Sequence, residues 1–346
     1  MTEGSPVVRV FVPTYRRPKL LRRALLSLQN QSFRDWVCEV RNDAPDDPGP
    51  AAIVEELRDA RFKLVQHQRN VGGTAMFNLV FRATEEPFYS LLEDDNWWEP
   101  EFLSTMLAVA QQFPDCDIFW ANQRIWDEQA DGSFRDSGAI MRDKSFAAVP
   151  QAFAWPHPSQ LFGPLHSAGA MLVRSHKQTD YQTPADTPLS AVESFRERIW
   201  RYPVVFVPAT IANWSVTLQT HRSRSPAEHI MLQVMLAATL LKHWRLSDTE
   251  AIQIWKDARE SKYPTTSVLL YASLVEPGCR HLLKHANAGD WARFLRTAFR
   301  RPLVPWTVFR SRRTRPGLWT WLDDRTAARF ADAGAEKARI AAQKPN

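Results

Sequence analysis

Four times in the first hundred residues, a short apolar, β-rich run ends in a polar segment and a helical pattern follows. The run at 7–12 is β-branched, is closed by Pro13, and reads as a buried strand. Pro18 then opens a helix with Leu20, Leu21, Ala24, Leu25 and Leu28 on one face. A second strand at 36–40 leads into the turn-rich NDAPDDPGP and a helix at 51–59. A third at 62–67 precedes Gly72 and Gly73, which lead into a helix carrying Met76, Phe77, Val80 and Phe81. A fourth at 88–92 ends in an acidic cluster, after which Pro100 opens a helix through Phe113 and 117–121 forms a fifth strand.

This βαβαβαβαβ order predicts an α/β fold built on a mostly parallel, doubly wound sheet. Such sheets bind ligands outside the carboxyl ends of their strands. The polar segments 14–17, 42–47, 69–73 and 93–96 each directly follow a strand, so they are expected to converge on one cleft.

Beyond residue 121 the pattern loosens. Residues 122–165 read as loop-rich, 168–173 and 204–207 as further strands, and the chain from Pro226 as helical through Leu240, Ile254 and Leu270. The expected organisation is a unit at 1–225, with halves 1–121 and 122–225, then a helical, basic, Trp-rich region at 226–332. An Ala- and Lys-rich tail at 333–346 is expected to fray.

Hydrophobic residues make up 44% and charged residues 24%, which argues against disorder. Most of the 14 tryptophans are expected in the core. The three cysteines, Cys38, Cys116 and Cys279, form no CxxC pair, which argues against a zinc site or disulfide framework and fits a reducing cytoplasm. The first ten residues lack the pattern of a signal peptide. The apolar run at 230–241 is interrupted by Gln233 and is far short of the ~20 residues that span a bilayer. A soluble, cytoplasmic protein is therefore expected.

The net charge of +6 is unevenly spread. Between Asp290 and Asp323 no acid occurs, yet Arg293, Arg296, Arg300, Arg301, Arg310, Arg312, Arg313 and Arg315 do. Trp291, Phe294, Phe299, Trp306, Phe309 and Trp319 are interleaved with them. The segment 291–319 suits peripheral contact with anionic lipid at the inner face of a membrane. A solvated basic face and a nucleic-acid surface are the alternatives, and nucleic acid is not an expected partner.

The acidic cluster is the most pointed feature. Glu93-Asp94-Asp95-Asn96 closes a buried strand with three adjacent carboxylates, which repel unless something positive is present. A hard cation held by one or two carboxylates, its shell completed by substrate phosphates, would resolve that repulsion. An acidic turn capping the next helix is the plainer alternative. Tyr15 and Asp43 could serve a nucleobase or ribose, although NDAPDD alone is an ordinary turn. Arg69 and Asn70 before Gly72-Gly73 offer a cation and close backbone approach.

Together the segments VFVPTYRRPKLLRRALLSLQNQSF, VRNDAPDD, RNVGGTAMFN and LLEDDNWWEPEFL resemble the family 2 glycosyltransferases of the GT-A fold. The resemblance covers roughly the first 120 residues, with the motifs in family order. It implies a GT-A, Rossmann-like, doubly wound mixed sheet with a helical C-terminal extension. It also implies a nucleotide-diphosphate sugar donor, UDP-type by family habit, and Mg²⁺ or Mn²⁺ as cofactor. The donor site would draw on Pro13, Thr14, Tyr15 and Arg16, with Asp43 reading the base and Arg69, Asn70 and Gly73 approaching base or phosphate. Asp94 would face the ribose or sugar, Asp95 would bind the metal, and His221 in THRSRS would touch metal or diphosphate.

One departure matters. The family commonly places its catalytic base in a Glu-Asp pair, whereas this chain reads ADTPLSAVESFRER, leaving Glu193 and Asp186 as candidates, with Glu193 favoured. The expected activity is inverting transfer of a hexose-type sugar to a saccharide, lipid-linked or small-molecule hydroxyl, in surface polysaccharide or glycoconjugate synthesis. The rivals are a non-catalytic nucleotide-sugar binder on a relic fold and a nucleotidyltransferase. The latter would be expected to carry a Gly-rich loop after the first strand, where PTYRRP has none.

Overall fold

The computed structural model describes residues 6–143, 145–218 and 225–342, with side chains described as far as 332. The first half alternates strands and helices: β1 (Val8–Thr14), α1 (Pro18–Gln29), β2 (Trp36–Asn42), α2 (Gly49–Leu57), β3 (Phe62–Gln66), α3 (Gly73–Val80), β4 (Phe88–Leu91), β5 (Trp97–Trp98) and α4 (Phe102–Gln112). There follow β6 (Ile118–Glu128), β7 (Phe134–Ile140), β8 (Gln151–Phe153), β9 (Met171–Arg174), α5 (Val192–Arg196) and β10 (Val204–Val216). Helices α6 (Pro226–His243), α7 (Asp248–Glu260), α8 (Thr265–Val275), α9 (Ala288–Arg300), α10 (Leu303–Thr314) and α11 (Pro316–Ala342) complete the chain.

The strands form one mixed sheet in the order β3-β2-β1-β4-β9-β6-β10-β5, with β7 beside β6 and β8 beside β10. β3, β2, β1 and β4 are mutually parallel, as the βαβ order requires. The fifth strand of the sequence pattern, β6, does not follow β4 directly, because β9 inserts antiparallel to both. β6 and β10 run parallel to each other.

Side-chain alternation along the strands divides the core in two. Val8, Val10, Val12, Val40, Phe119, Leu172, Val205 and Val207 face Leu21, Leu25 and Leu28 of α1 and Phe102, Leu103 and Met106 of α4. Phe11, Tyr89, Leu91, Trp120, Met171, Val173 and Phe206 share the other core with α6, α8, α10 and α11. The C-terminal helices thus bury their apolar faces against the same sheet rather than around a separate centre. α6 is buried on nearly every side, which explains an apolar run too short for a bilayer.

Three expectations need correcting. The span 122–165, read as loop, begins with the continuation of β6, which pairs antiparallel with β7. Asn122, Gln123 and Arg124 are poor strand formers in isolation, but pairing of all three with β10, and of Arg124 also with β7, outweighs local propensity. The strand read at 204–207 runs on to Val216, with register shifts after Val207 that absorb Pro208, which has no N–H to donate. The strand read at 168–173 begins with a 3₁₀ turn at Ala168–Ala170. α11 runs through Ala342, in keeping with the helix propensity of its Ala, Glu and Lys.

Candidate donor site at the carboxyl ends of the parallel strands

The loop after β1 is bound to the loop after β4. The Thr14 hydroxyl donates to Asp94 Oδ2 at 2.8 Å. Arg17 reaches Asp94 Oδ1 at 3.3 Å and Asp95 Oδ2 at 2.9 Å. Asp94 is buried and Asp95 half-buried. Burial, and for Asp94 the neighbouring charge of Asp95, push both carboxyls upward, while Arg17 pulls them down. For Asp94 the balance lies at about 7.

A second cation supports the same loop from below. Arg23 of α1 donates to the Asp95 carbonyl at 2.6 Å. Its guanidinium lies 3.8 Å from the Phe134 ring centre and 4.1 Å from that of Trp97. Burial lowers its pKa to about 10, which leaves it charged at neutral pH. From β10, the Ser215 N–H donates to Asn96 Oδ1 at 2.9 Å and its hydroxyl to the Asp95 carbonyl. Gly169 abuts the loop so closely that a Cβ there would lie 2.6 Å from Glu93 Oε2 and 2.9 Å from Asn96 Nδ2.

The loops after β2 and β3 are joined likewise. The buried Asp43 carboxylate accepts from the N–H groups of Val71 (2.8 Å) and Gly72 (3.0 Å). Asn70 donates to the Asp43 carbonyl at 3.3 Å. Gly72 adopts φ +86°, a conformation that favours glycine. Asp43 N–H in turn donates to the Thr14 carbonyl, and exposed Arg16 pairs with Asp46 at 2.6 Å, so the first two loops are also linked. Half-buried Pro13 lies within β1, which runs one residue further to Thr14, and Tyr15 and Arg69 are exposed at the rim.

The two candidate bases differ in placement. Glu193, in the first turn of α5, is half-buried and accepts the Ala168 N–H at 2.5 Å, one residue from the glycine that touches Glu93. Asp186 lies exposed in a turn. Next to it, the Thr187 carbonyl accepts from Thr74 at 2.7 Å, and Leu189 covers Gly73. His221 lies outside the described residues.

Sequence reading missed Arg17, Arg23, Gly169 and Ser215. Arg17 was one of two adjacent arginines with nothing to tell which turns inward. Arg23 borders the apolar stripe of α1, and its position beside that stripe was the available signal.

Residues 9–151 match the family model described as "Glycosyl transferase family 2". Over these residues, fewer than half of the chain, the protein is similar to glycosyltransferase family 2. EpsH of Bacillus subtilis (strain 168) is 32% identical over 115 residues, 33% of this chain and 33% of that protein. The GalNAc(5)-diNAcBac-PP-undecaprenol beta-1,3-glucosyltransferase of Campylobacter jejuni is 31% identical over 110 residues, 31% of this chain and 35% of that protein. The chain spans less than half the length of the curated relatives it matches. Among solved structures, S. aureus TarS 1–349 in complex with UDP-GlcNAc superposes with a TM-score of 0.55 at 14% identity, covering 98% of this chain and 93% of that one. The shared architecture is the GT-A fold, with its mixed sheet and C-terminal helices. No helix among the described residues is long and apolar enough to cross a membrane.

Proposed function

We propose that this protein transfers a sugar from a nucleotide diphosphate to an acceptor hydroxyl, with inversion, and that the donor lies where the four loops meet. The observation that carries this reading is the grip of Thr14 and Arg17 on Asp94 and Asp95, beside the grip of Asp43 on the glycine loop. The binding of UDP-GlcNAc by the structurally similar TarS, and the undecaprenol-linked saccharide in the name of the Campylobacter jejuni relative, support the same class of chemistry.

The donor set fits a divalent cation, Mg²⁺ or Mn²⁺. Asp95, with Asp94 beside it, supplies desolvated carboxylates whose mutual repulsion a cation relieves. Among the described residues no three His, Cys, Asp or Glu side chains gather into a cage. A hard cation completed by phosphate oxygens needs no such cage. When bound, it supplies positive charge against the leaving diphosphate.

The chain's own residues do the rest. Tyr15 and Thr14 border the base and ribose, and Asp43 fixes the Val71–Gly72 backbone against them. Arg69, exposed at the rim, meets donor charge. Glu193 takes the proton of the acceptor hydroxyl as its oxygen bonds to the anomeric carbon. The anomeric carbon–phosphate oxygen bond breaks, and its electron pair leaves with the diphosphate.

A thermal-shift panel of UDP, GDP, CDP and dTDP, each with and without Mn²⁺, tests the donor site, since a ligand of the native state raises its melting point. Stabilisation by one nucleotide only with metal, abolished in Asp95→Ala, is expected. No nucleotide response, or one indifferent to Asp95→Ala, overturns the reading. A non-catalytic binder is the second reading, favoured by the engagement of Glu193 with a backbone N–H. It would bind nucleotide in calorimetry without turnover.

A further inference from the structure

We infer that the outer face of α9 and α10 is a docking surface for an anionic lipid bilayer. Of the 14 tryptophans, Trp306 alone is exposed, at 57%, and it lies on this face. Phe299 is 88% exposed, Leu303 68%, Leu295 62% and Phe309 53%. Leu295 and Phe299 are one helical turn apart on α9, as are Leu303 and Trp306 on α10, and only Arg301 and Pro302 separate the two helices. The opposite faces are satisfied inside the protein, through Phe294 of α9 and Val304 and Val308 of α10. Both helices therefore carry more apolar surface than the fold uses.

The charge around this surface selects its partner. Arg296, Arg300, Arg301, Arg310 and Arg313 are exposed, and among the described residues no carboxylate pairs with them. The acids that do pair with arginines of this segment take others: Asp290 pairs with Arg293 as well as Arg259, Glu276 with Arg312, and Glu228 with Arg315. Arg310 lies 4.6 Å from the Trp306 ring centre, so cation and aromatic form a single amphipathic element. Aromatic and aliphatic side chains ringed by unpaired arginines match an interfacial helix pair, with apolar groups entering the headgroup boundary and guanidinium groups meeting phosphates. A second copy would bring the same cations face to face in a symmetric contact. A nucleic acid would leave Leu295 and Leu303 without a counterpart. The inference stands apart from the donor-site reading and its test needs no turnover.

The test is flotation of the full chain with vesicles of phosphatidylcholine alone and of phosphatidylcholine with about one part in three phosphatidylglycerol, at roughly 0.1 M salt. Partition is expected onto the anionic vesicles only. Arg296→Gln with Arg300→Gln should weaken it about thirtyfold, and Phe299→Ser with Trp306→Ser at least about tenfold, with melting temperatures unchanged because all four side chains are exposed. Equal binding to neutral vesicles, no binding, or indifference to the Phe299/Trp306 pair overturns the proposal. So does self-association in ultracentrifugation that the same pair abolishes without vesicle binding. Tighter binding to DNA than to vesicles, with a steep salt dependence, would assign the surface to nucleic acid instead.

Discussion

Arg17 stands between two carboxylates, 2.9 Å from Asp95 Oδ2 and 3.3 Å from Asp94 Oδ1, and is the cation by which the first loop holds the fourth. Replacing it with methionine leaves two desolvated acids with little to oppose their repulsion. Arg17→Met should cost about 3 kcal/mol of stability at pH 8 without metal. The cost should shrink at pH 6, where Asp94 takes up a proton. Mn²⁺ should restore more stability to the variant than to the parent, read as the melting shift with and without EDTA. Equal shifts would separate Arg17 from the cation site.

Asp94 gives the pH dependence its sign. Its carboxyl is raised from the ordinary 3.8 to about 7, so between those values the native state binds more protons than the unfolded one. Through this group stability is greater below the unfolded value and falls as pH rises through the folded one. Asp94→Asn removes that dependence. In EDTA its melting temperature should vary less between pH 5 and pH 8 than the parent's, and at the upper end should equal or exceed it. A steeper decline in the variant would contradict the assignment.

Asp43 orders the glycine loop through two amide donors at 2.8 and 3.0 Å. Each such charge-assisted bond is worth about 1.5–3 kcal/mol. Asp43→Ala should therefore speed amide exchange at Val71 and Gly72 by at least about tenfold, while α1 and β1 keep their protection. Hydrogen exchange read by mass spectrometry decides this, and unchanged protection at residues 69–73 would refute it.

Gly169 is a backbone wall against the acidic loop. An alanine Cβ there would sit 2.6 Å from Glu93 Oε2, a distance real contacts do not show, so Glu93 must move. Gly169→Ala should reduce donor turnover by more than about tenfold, the scale on which small displacements act, with a modest drop in melting temperature. Gly163→Ala is the control, since a Cβ there would meet nothing within 4 Å.

What could be read in the chain before its folding was largely what local pattern carries. The parallel β3-β2-β1-β4 block follows from valine-rich strands alternating with amphipathic helices, and the cleft follows from polar segments placed after strands. The insertion of β9 between β4 and β6 was not legible, because Met171–Arg174 carries no mark of its neighbours. Nor was the length of β6, whose polar second half is held in the sheet by pairing with β7 and β10. In the site, the carboxylates announced themselves by crowding, which is a property of sequence. Arg23 and Ser215 act on Asp95 from 72 and 120 residues away, and only folding brings them there.

Glu193 is the last and sharpest case. Its Oε1 accepts the Ala168 N–H at 2.5 Å, a bond the amide oxygen of glutamine can also accept. Glu193→Gln thus keeps the local structure and removes only the ability to take a proton. If Glu193 is the base, kcat should fall by about 10²–10⁴ while nucleotide binding in calorimetry and the melting temperature stay close to the parent's. Asp186→Asn, in its exposed turn, should leave kcat within about twofold by the same reasoning. The reverse pattern, an inactive Asp186 variant and an active Glu193 variant, would move the base to the turn beside Thr187 and make Glu193 a clamp on the Ala168 backbone.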